Sequence, residues 1–367
     1  MKILLLPNAL KGSLSALKAG RILAQTLKQR HTVRLFPLSD GGDGFLDFFQ
    51  TLDPHAKRIH TTAKNAFLKN TRTSFLLLSD KKTAVIETAQ ICGLGKISRR
   101  ELNPMGASSY GVGQVILKAV QKGARHIYVG LGGVACNDGG AGMVAACGGK
   151  LLDEKKQPLA LGALPLLQLT HLDLSLVKQK LKGIKITGVA DVTNPLLGPK
   201  SSAKVFGPQK GATPAQVKLL DKAMARWAQA IRHTTGKNIS SVSSTAAAGA
   251  IGAGLYGCLN ASLLLGTALL TKKLSLEKQI RWADLIITCE GKLDEQTFYG
   301  KAPFAVLKTA QKYKKKTLFI CGQCALNHKK KYPLLPSQLA VLADFAPNLQ
   351  QSQQHASLYL TRVAKNI

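Results

Sequence analysis

The chain has 367 residues, 45% of them hydrophobic, enough to build a sizeable core and to exclude general disorder. Lys and Arg number 51 against 19 Asp and Glu, a net charge of +32 whose field concentrates anions such as nucleotides and small carboxylates. The basic residues are spread along the chain, with short clusters only at Lys312–Lys316 and Lys329–Lys331, and the sparse aromatics do not interleave with them. A stacking platform for single-stranded nucleic acid needs that interleaving, so nucleic-acid binding is the weakest alternative for a main role.

In chain order, Lys2–Pro7 reads as a buried strand, Leu14–Gln29 as a helix and Val33–Leu38 as a second strand. Residues 61–88 read as consecutive strands with a turn at Ser79-Asp80-Lys81, an antiparallel piece set apart from the rest. Then follow a helix at Gly111–Lys122, strands at His126–Leu131 and Ile184–Ala190, and a helix at Ala215–Arg232. The uncharged stretch 238–271 is long enough to span a bilayer, but its first half is rich in Ser, Ala and Gly. It reads as a buried loop and helix rather than a membrane segment. The chain closes with strands at Asp284–Thr288, Thr317–Cys321 and Leu339–Leu342 and a helix at Pro303–Tyr313. Such alternation specifies an α/β fold with a parallel sheet. Seven scattered cysteines and an opening apolar run too short for a signal peptide point to the reducing cytoplasm. Cys321 and Cys324 have thioredoxin-like spacing, yet read better as small core residues at a strand end.

In open α/β sheets ligands bind beyond the carboxyl ends of the strands, and here nearly every strand runs into small and polar residues. After the first come Lys11, a phosphate-suited cation, and Ser13, placed to cap the following helix. After the second, Asp40 and Asp43 sit among glycines, either to hold a metal or hydroxyl or to cap a turn. The segment Gly130–Gly140 contains a GxGxxA pattern that imitates a dinucleotide fingerprint, but it runs on into Asn137-Asp138-Gly139-Gly140 instead of a helix. A phosphate-cradling turn is the more economical reading. Asp191, at the mouth of a buried strand, is placed to accept a proton from a substrate hydroxyl, or to start the turn before Pro195. Gln209 and Lys210, between glycines, suit phosphate or carboxylate oxygens. Glu290 and Asp294 are candidate magnesium ligands, beside Gln296, Thr297 and Lys301. Neither a GxxxxGK[ST] loop nor a protein-kinase, HExxH or paired CxxC pattern occurs. Repeated at so many strand ends, these residues argue for a large polar cleft that handles phosphates and a metal.

The segments PNALKGSLSA (7–16), SDGGDG (39–44), IETAQICGL (86–94), GGVACNDGGAGM (132–143), DVTNPLLG (191–198), FGPQKGA (206–212) and EGKLDEQTFYGKAP (290–303) resemble, in order and spacing, the type II bacterial glycerate kinases. The resemblance covers nearly the whole chain. It implies transfer of a phosphoryl group from ATP, with magnesium, to D-glycerate, usually giving 2-phosphoglycerate. It also implies two α/β domains with the active site between them, one with a Rossmann-like parallel sheet and the other mixed and inserted. The first is expected over 1–55 plus about 275–367, with part of 105–145 an open addition, and the second over about 56–274.

On that basis Asp191 is the expected acid–base or orienting group, and Lys11, Gln209 and Lys210 the phosphate or carboxylate contacts. Glu290 and Asp294 are expected to hold magnesium or nucleotide. Ser13, Asp40, Asp43, Asn137, Asp138, Asn194, Gln296, Thr297 and Lys301 complete the binding set. The partner is a small molecule, with no membrane and with a homodimer left open. The family usually has Asp at Asn8, Ser and Thr at Val134 and Cys136, and Gly at Cys289. These departures keep a second reading in play, a non-catalytic or substrate-shifted relative that binds nucleotide.

Overall fold

A computed structural model describes residues 1–298, 301–327 and 332–367, apart from the side chains of Lys96 and Gln296. The chain divides into two compact units. One is built from Met1–Asp40, Asp47–Pro54 and Gly266–Ile367, the other from Gly41–Leu46 and His55–Leu265.

The first unit holds a five-stranded, wholly parallel sheet in the spatial order Gln338–Val341, Lys316–Cys324, Leu285–Leu293, Lys2–Pro7, Thr32–Leu35. Lys2–Pro7 pairs on both edges and is buried from Ile3 onward, which is why its sequence is a continuous apolar run rather than an alternation. The following helix, Ala16–Leu27, buries Ala16, Ala19, Gly20, Leu23, Ala24 and Leu27, one face of the 3.6-residue period. Gly20 is needed there, because a Cβ would overlap the Leu35 side chain. This core closes against the last helix, Ala356–Lys365, through Tyr359, Leu360 and Val363.

The expected cap is corrected by two residues. Ser15, not Ser13, accepts the helix N–H, from Lys18 at 3.2 Å. Leu10 to Leu14 instead form a tight turn around Gly12 (φ 83°), with Leu14 N–H donating to the Leu10 carbonyl at 3.0 Å. Ser13 Oγ points away from it and donates to the Gln353 carbonyl at 2.7 Å.

The second unit holds a six-stranded mixed sheet, ordered Ser262–Leu265, Lys185–Ala190, His126–Leu131, Thr83–Glu87, Asn70–Leu77, Lys57–Lys64. The first four strands are parallel and the last three antiparallel. The reversal before Thr83 is fixed by Asp80, whose carboxylate accepts from the Lys82 and Thr83 N–H groups at 2.8 and 2.7 Å. A helix at Tyr110–Gln121 and the long helix Pro214–Thr235, opened by a Thr213/Gln216 capping box, cover the sheet's core. Residues 238–271 contain more than a loop and helix. They form a helix at Ala247–Cys258, the edge strand Ser262–Leu265 and the start of a helix at Gly266–Leu274. Among the described residues no helix is long and apolar enough to cross a membrane.

All seven cysteines are free. Cys321 and Cys324 lie on one strand and pack with Leu293, Leu307 and Phe319. Burial pushes the Cys321 thiol up to about 12, so it carries no thiolate for redox exchange.

Candidate functional site

In the first unit the carboxyl ends of three parallel strands bring a charged cluster together. Glu290, only 8% exposed, accepts from Lys301 Nζ at 2.9 Å through Oε1 and from Thr297 Oγ1 at 3.0 Å through Oε2. Thr297 is held by its own turn, donating its N–H to the Asp294 carbonyl at 3.0 Å and accepting the Asp294 N–H at 3.3 Å. Lys301 sits at the N-cap of the helix Ala302–Lys312, whose Pro303 suits a first turn. Burial pushes the Glu290 carboxyl above the usual range, and the Lys301 hydrogen bond and charge pull it back. Nearby Asp40 behaves alike, raised by burial and lowered by the charges of Lys301 and Lys11. Gly291 lets the Lys11 backbone lie on the strand end, since a Cβ there would stand 2.7 Å from Lys11 N.

Lys11, Asp40, Glu290, Asp294, Thr297 and Lys301 are thus gathered in one unit. Ser13 is spent on Gln353, and the Gln296 side chain lies outside the described residues. Two departures from the family pattern touch each other here. Asn8 N–H donates to the Cys289 carbonyl at 3.0 Å, and Cys289 Sγ donates back to the Asn8 carbonyl at 3.4 Å.

The second unit's strand ends are built differently. Asp138 is fully buried, and its carboxylate accepts from Ser109 N–H (2.7 Å), Ser109 Oγ (2.9 Å), Ser108 Oγ (3.3 Å), Gly142 N–H (3.1 Å) and Gly140 N–H (3.2 Å). It does not line a cleft; it ties the loop after His126–Leu131 to the start of two helices. Gly139 and Gly140 adopt positive φ, and a Cβ on Gly139 would stand 2.5 Å from Trp227 Cδ1.

The glycines of Gly130–Gly140 have a structural use of their own. They serve close backbone approach: a Cβ on Gly132 would stand 2.7 Å from Gly42 Cα, and one on Gly130 2.6 Å from the Gly41 carbonyl oxygen. Several N–H groups are already spent inside the protein, Ala135 on Cys92 (2.9 Å), Gly139 on Gly249 (3.1 Å) and Gly140 on Asp138. Asp43, on the Gly41–Leu46 loop, is exposed and reaches over Gly133.

Asp191 follows the buried strand Lys185–Ala190 and is itself exposed. The next loop is laced from within, with Asn194 Nδ2 donating to the Lys200 carbonyl at 2.9 Å and Thr193 accepting from Ser244 N–H at 3.3 Å. Gln209 and Lys210 part company. Gly207 lets the chain pass the Ala203 carbonyl, Pro208 opens a single 3-10 turn, and Gly211 (φ 89°) reverses direction. Gln209 is left exposed while Lys210, 3% exposed, turns inward and donates to the Cys136 carbonyl at 2.7 Å and to Asn137 Oδ1 at 3.1 Å. Burial lowers the Lys210 pKa.

Above this pair lies a left-handed segment that the sequence reading missed. Ala248, Gly249 and Ala250 have φ of 53°, 61° and 64°. Each alanine costs about 1–2 kcal/mol in that conformation. Only the small-residue run STAAAGA signals it. Ser108 and Ser109 were missed too; a Ser pair just before a helix was the available clue.

The model of the glycerate kinase family matches residues 3–367. The chain belongs to the glycerate kinase family. It is 33% identical over 368 residues to a glycerate kinase of Halalkalibacterium halodurans, covering 100% of this chain and 97% of the relative. It is 35% identical over 325 residues to the glycerate 2-kinase of Escherichia coli K12, covering 88% and 85%. The fold is shared with a crystal structure described as a candidate glycerate kinase 2 from Salmonella typhimurium LT2, with a TM-score of 0.79, 31% identity and coverage of 100% and 98%.

Proposed function

We propose that this member of the family transfers the γ-phosphoryl group of ATP to a hydroxyl of D-glycerate, giving 2-phosphoglycerate. Family membership across residues 3–367 carries the reading. The strand-end clusters supply the chemistry that such a transfer needs, positioning and charge neutralisation.

Asp191, an exposed carboxylate at the end of a buried strand, takes the role of orienting the acceptor hydroxyl and receiving its proton. Lys11 and Lys301 offer positive charge to phosphate oxygens. Exposed Asp43 and Gln209 and the backbone-anchored Asn194 complete the acceptor's polar surroundings. Magnesium supplies, when bound, neutralisation of the phosphate charge. Glu290 does not fit as its direct ligand, because the Lys301 ammonium and the Thr297 hydroxyl hold its two oxygens. Among the described residues no three acidic, His or Cys side chains converge on a metal position. Asp294, half-buried beside Glu290, fits, since magnesium commonly takes one or two protein carboxylates and draws its other ligands from phosphate and water. Glu290 then acts by fixing Lys301.

Three of the four departures, Val134, Cys136 and Cys289, are buried. They change packing behind the strand ends, which favours an active enzyme over a non-catalytic relative. Seven free thiols support placement in the reducing cytoplasm. The test is an assay of purified protein with ATP, magnesium and D-glycerate, with the product identified by NMR. Formation of 2-phosphoglycerate is expected; no turnover from folded protein beside an active relative would sink the reading.

A further inference from the structure

The second unit buries a cation that forms no salt bridge among the described residues. Lys210 is 3% exposed, and its ammonium donates to two neutral oxygens, the Cys136 carbonyl and Asn137 Oδ1. Asp138, whose charge acts on it, has its own carboxylate filled by backbone and serine donors. A buried charge is costly unless paired. Beside it, Asn137 is 3% exposed and its Nδ2 has no hydrogen-bond partner. The ammonium fixes this amide: with Oδ1 drawn to Lys210, Nδ2 is the group left over. One positive charge and one idle N–H donor therefore stand together in the interior.

The cover over the pair is unusual as well. Gly249 lies directly on it, a Cβ there overlapping the Cys136 carbonyl and standing 2.9 Å from Lys210 Nζ. Gly249 is the middle of the left-handed segment, flanked by alanines that are strained in that conformation. Relaxation of the alanines toward ordinary backbone angles would lift the cover.

We infer that Lys210 Nζ and Asn137 Nδ2 form an anion subsite beneath the Ala248–Ala250 turn, and that its ligand is the carboxylate of the hydroxy-acid substrate. The inference rests on the function proposed above. Lys210 supplies one charge and Asn137 one further donor, which matches a carboxylate's single charge and two oxygens. A polyphosphate would bring several charges to one cation. The Lys210 contact with substrate is thereby separated from Lys11 and Lys301, which face phosphate.

The deciding variant is Asn137→Asp, which sets a carboxylate against Lys210 and supplies the missing countercharge from within. The variant is expected to melt at or above the wild-type temperature, to raise the KM for D-glycerate at least tenfold, and to leave the KM for ATP within twofold. Lys210→Met, measured alongside, should show the same split. An unchanged KM for glycerate in folded Asn137→Asp overturns the subsite, because a purely structural Lys210 would not move that constant. A protein that turns over no glycerate leaves a second readout, protection against thermal unfolding by D-glycerate and by inorganic phosphate. Protection of wild type by glycerate, lost in Asn137→Asp, upholds the subsite without the kinase reading. Protection by phosphate alone, or by neither anion, refutes it.

Discussion

The two units answer the same problem, an acid at a strand end, in opposite ways. Glu290 is balanced by a countercharge, the half-buried Lys301, and by the Thr297 hydroxyl. Asp138 is balanced by neutral donors deep inside and, among the described residues, has no cation bonded to it. The partly exposed cation of such a pair can exchange its carboxylate for a ligand, because water replaces what is lost. A carboxylate clasped by backbone N–H groups cannot be released without dismantling the loop. Acids that look alike in sequence therefore divide into one that positions a charged partner and one that builds the place where chemistry happens.

The sharpest way to break this contrast is Asp138→Ala. It strands the backbone and serine donors of its loop at once, and should cost about 3–5 kcal/mol in chemical denaturation. Loss of under about 1 kcal/mol would show that Asp138 is not what holds the loop together. Next is Asp191→Asn, at an exposed position. It should lower kcat roughly 10²–10⁴-fold while leaving the melting curve in place; near-normal turnover refutes its role.

Glu290→Gln tests the other side through pH. The folded Glu290 carboxyl lies above its ordinary value of 4.5. The stability that this shift contributes is fully present below pH 4.5 and lost as pH rises through the folded value. Wild type should therefore lose ground to Glu290→Gln over that window, and a gap independent of pH would contradict the burial argument. The smallest effect belongs to Ala248→Gly, which relieves a left-handed alanine and should stabilise the protein by about 1 kcal/mol in thermal or urea unfolding.

Much of the architecture was legible because buried parallel strands write themselves as apolar runs. Lys2–Pro7 and His126–Leu131 have in the structure the bounds that their sequences suggest. The strand Ser262–Leu265 was not legible. It runs straight into a helix through SLLLGTALL, where apolar periodicity cannot separate the two. The break falls at Gly266, where a Cβ would overlap the Asp40 backbone, a contact between residues far apart in sequence. Part of the charged cluster of the first unit could be read as a set, since Glu290, Asp294, Thr297 and Lys301 fall within one short stretch of sequence. The inward turn of Lys210 beside an outward Gln209 could not, because motif spelling does not reveal which face of a turn is buried. Glycine-rich stretches are ambiguous for a related reason. Gly130 and Gly132 look like ligand-approach residues, whereas the chain itself makes the approach.

The discontinuity of the first unit has a consequence in time. Lys2–Pro7 finds one strand neighbour quickly, at Thr32–Leu35, and waits for the other, since Lys2 and its partner Asp284 are 282 residues apart. The second unit is contained within that interval. At ribosomal rates of about 5–20 residues per second, a nascent chain holds an unfinished apolar strand for roughly 15–60 s. The inserted unit can close its own sheet meanwhile. Lys2–Pro7 is thus begun early and completed late, only when Leu285–Leu293 arrives beside it.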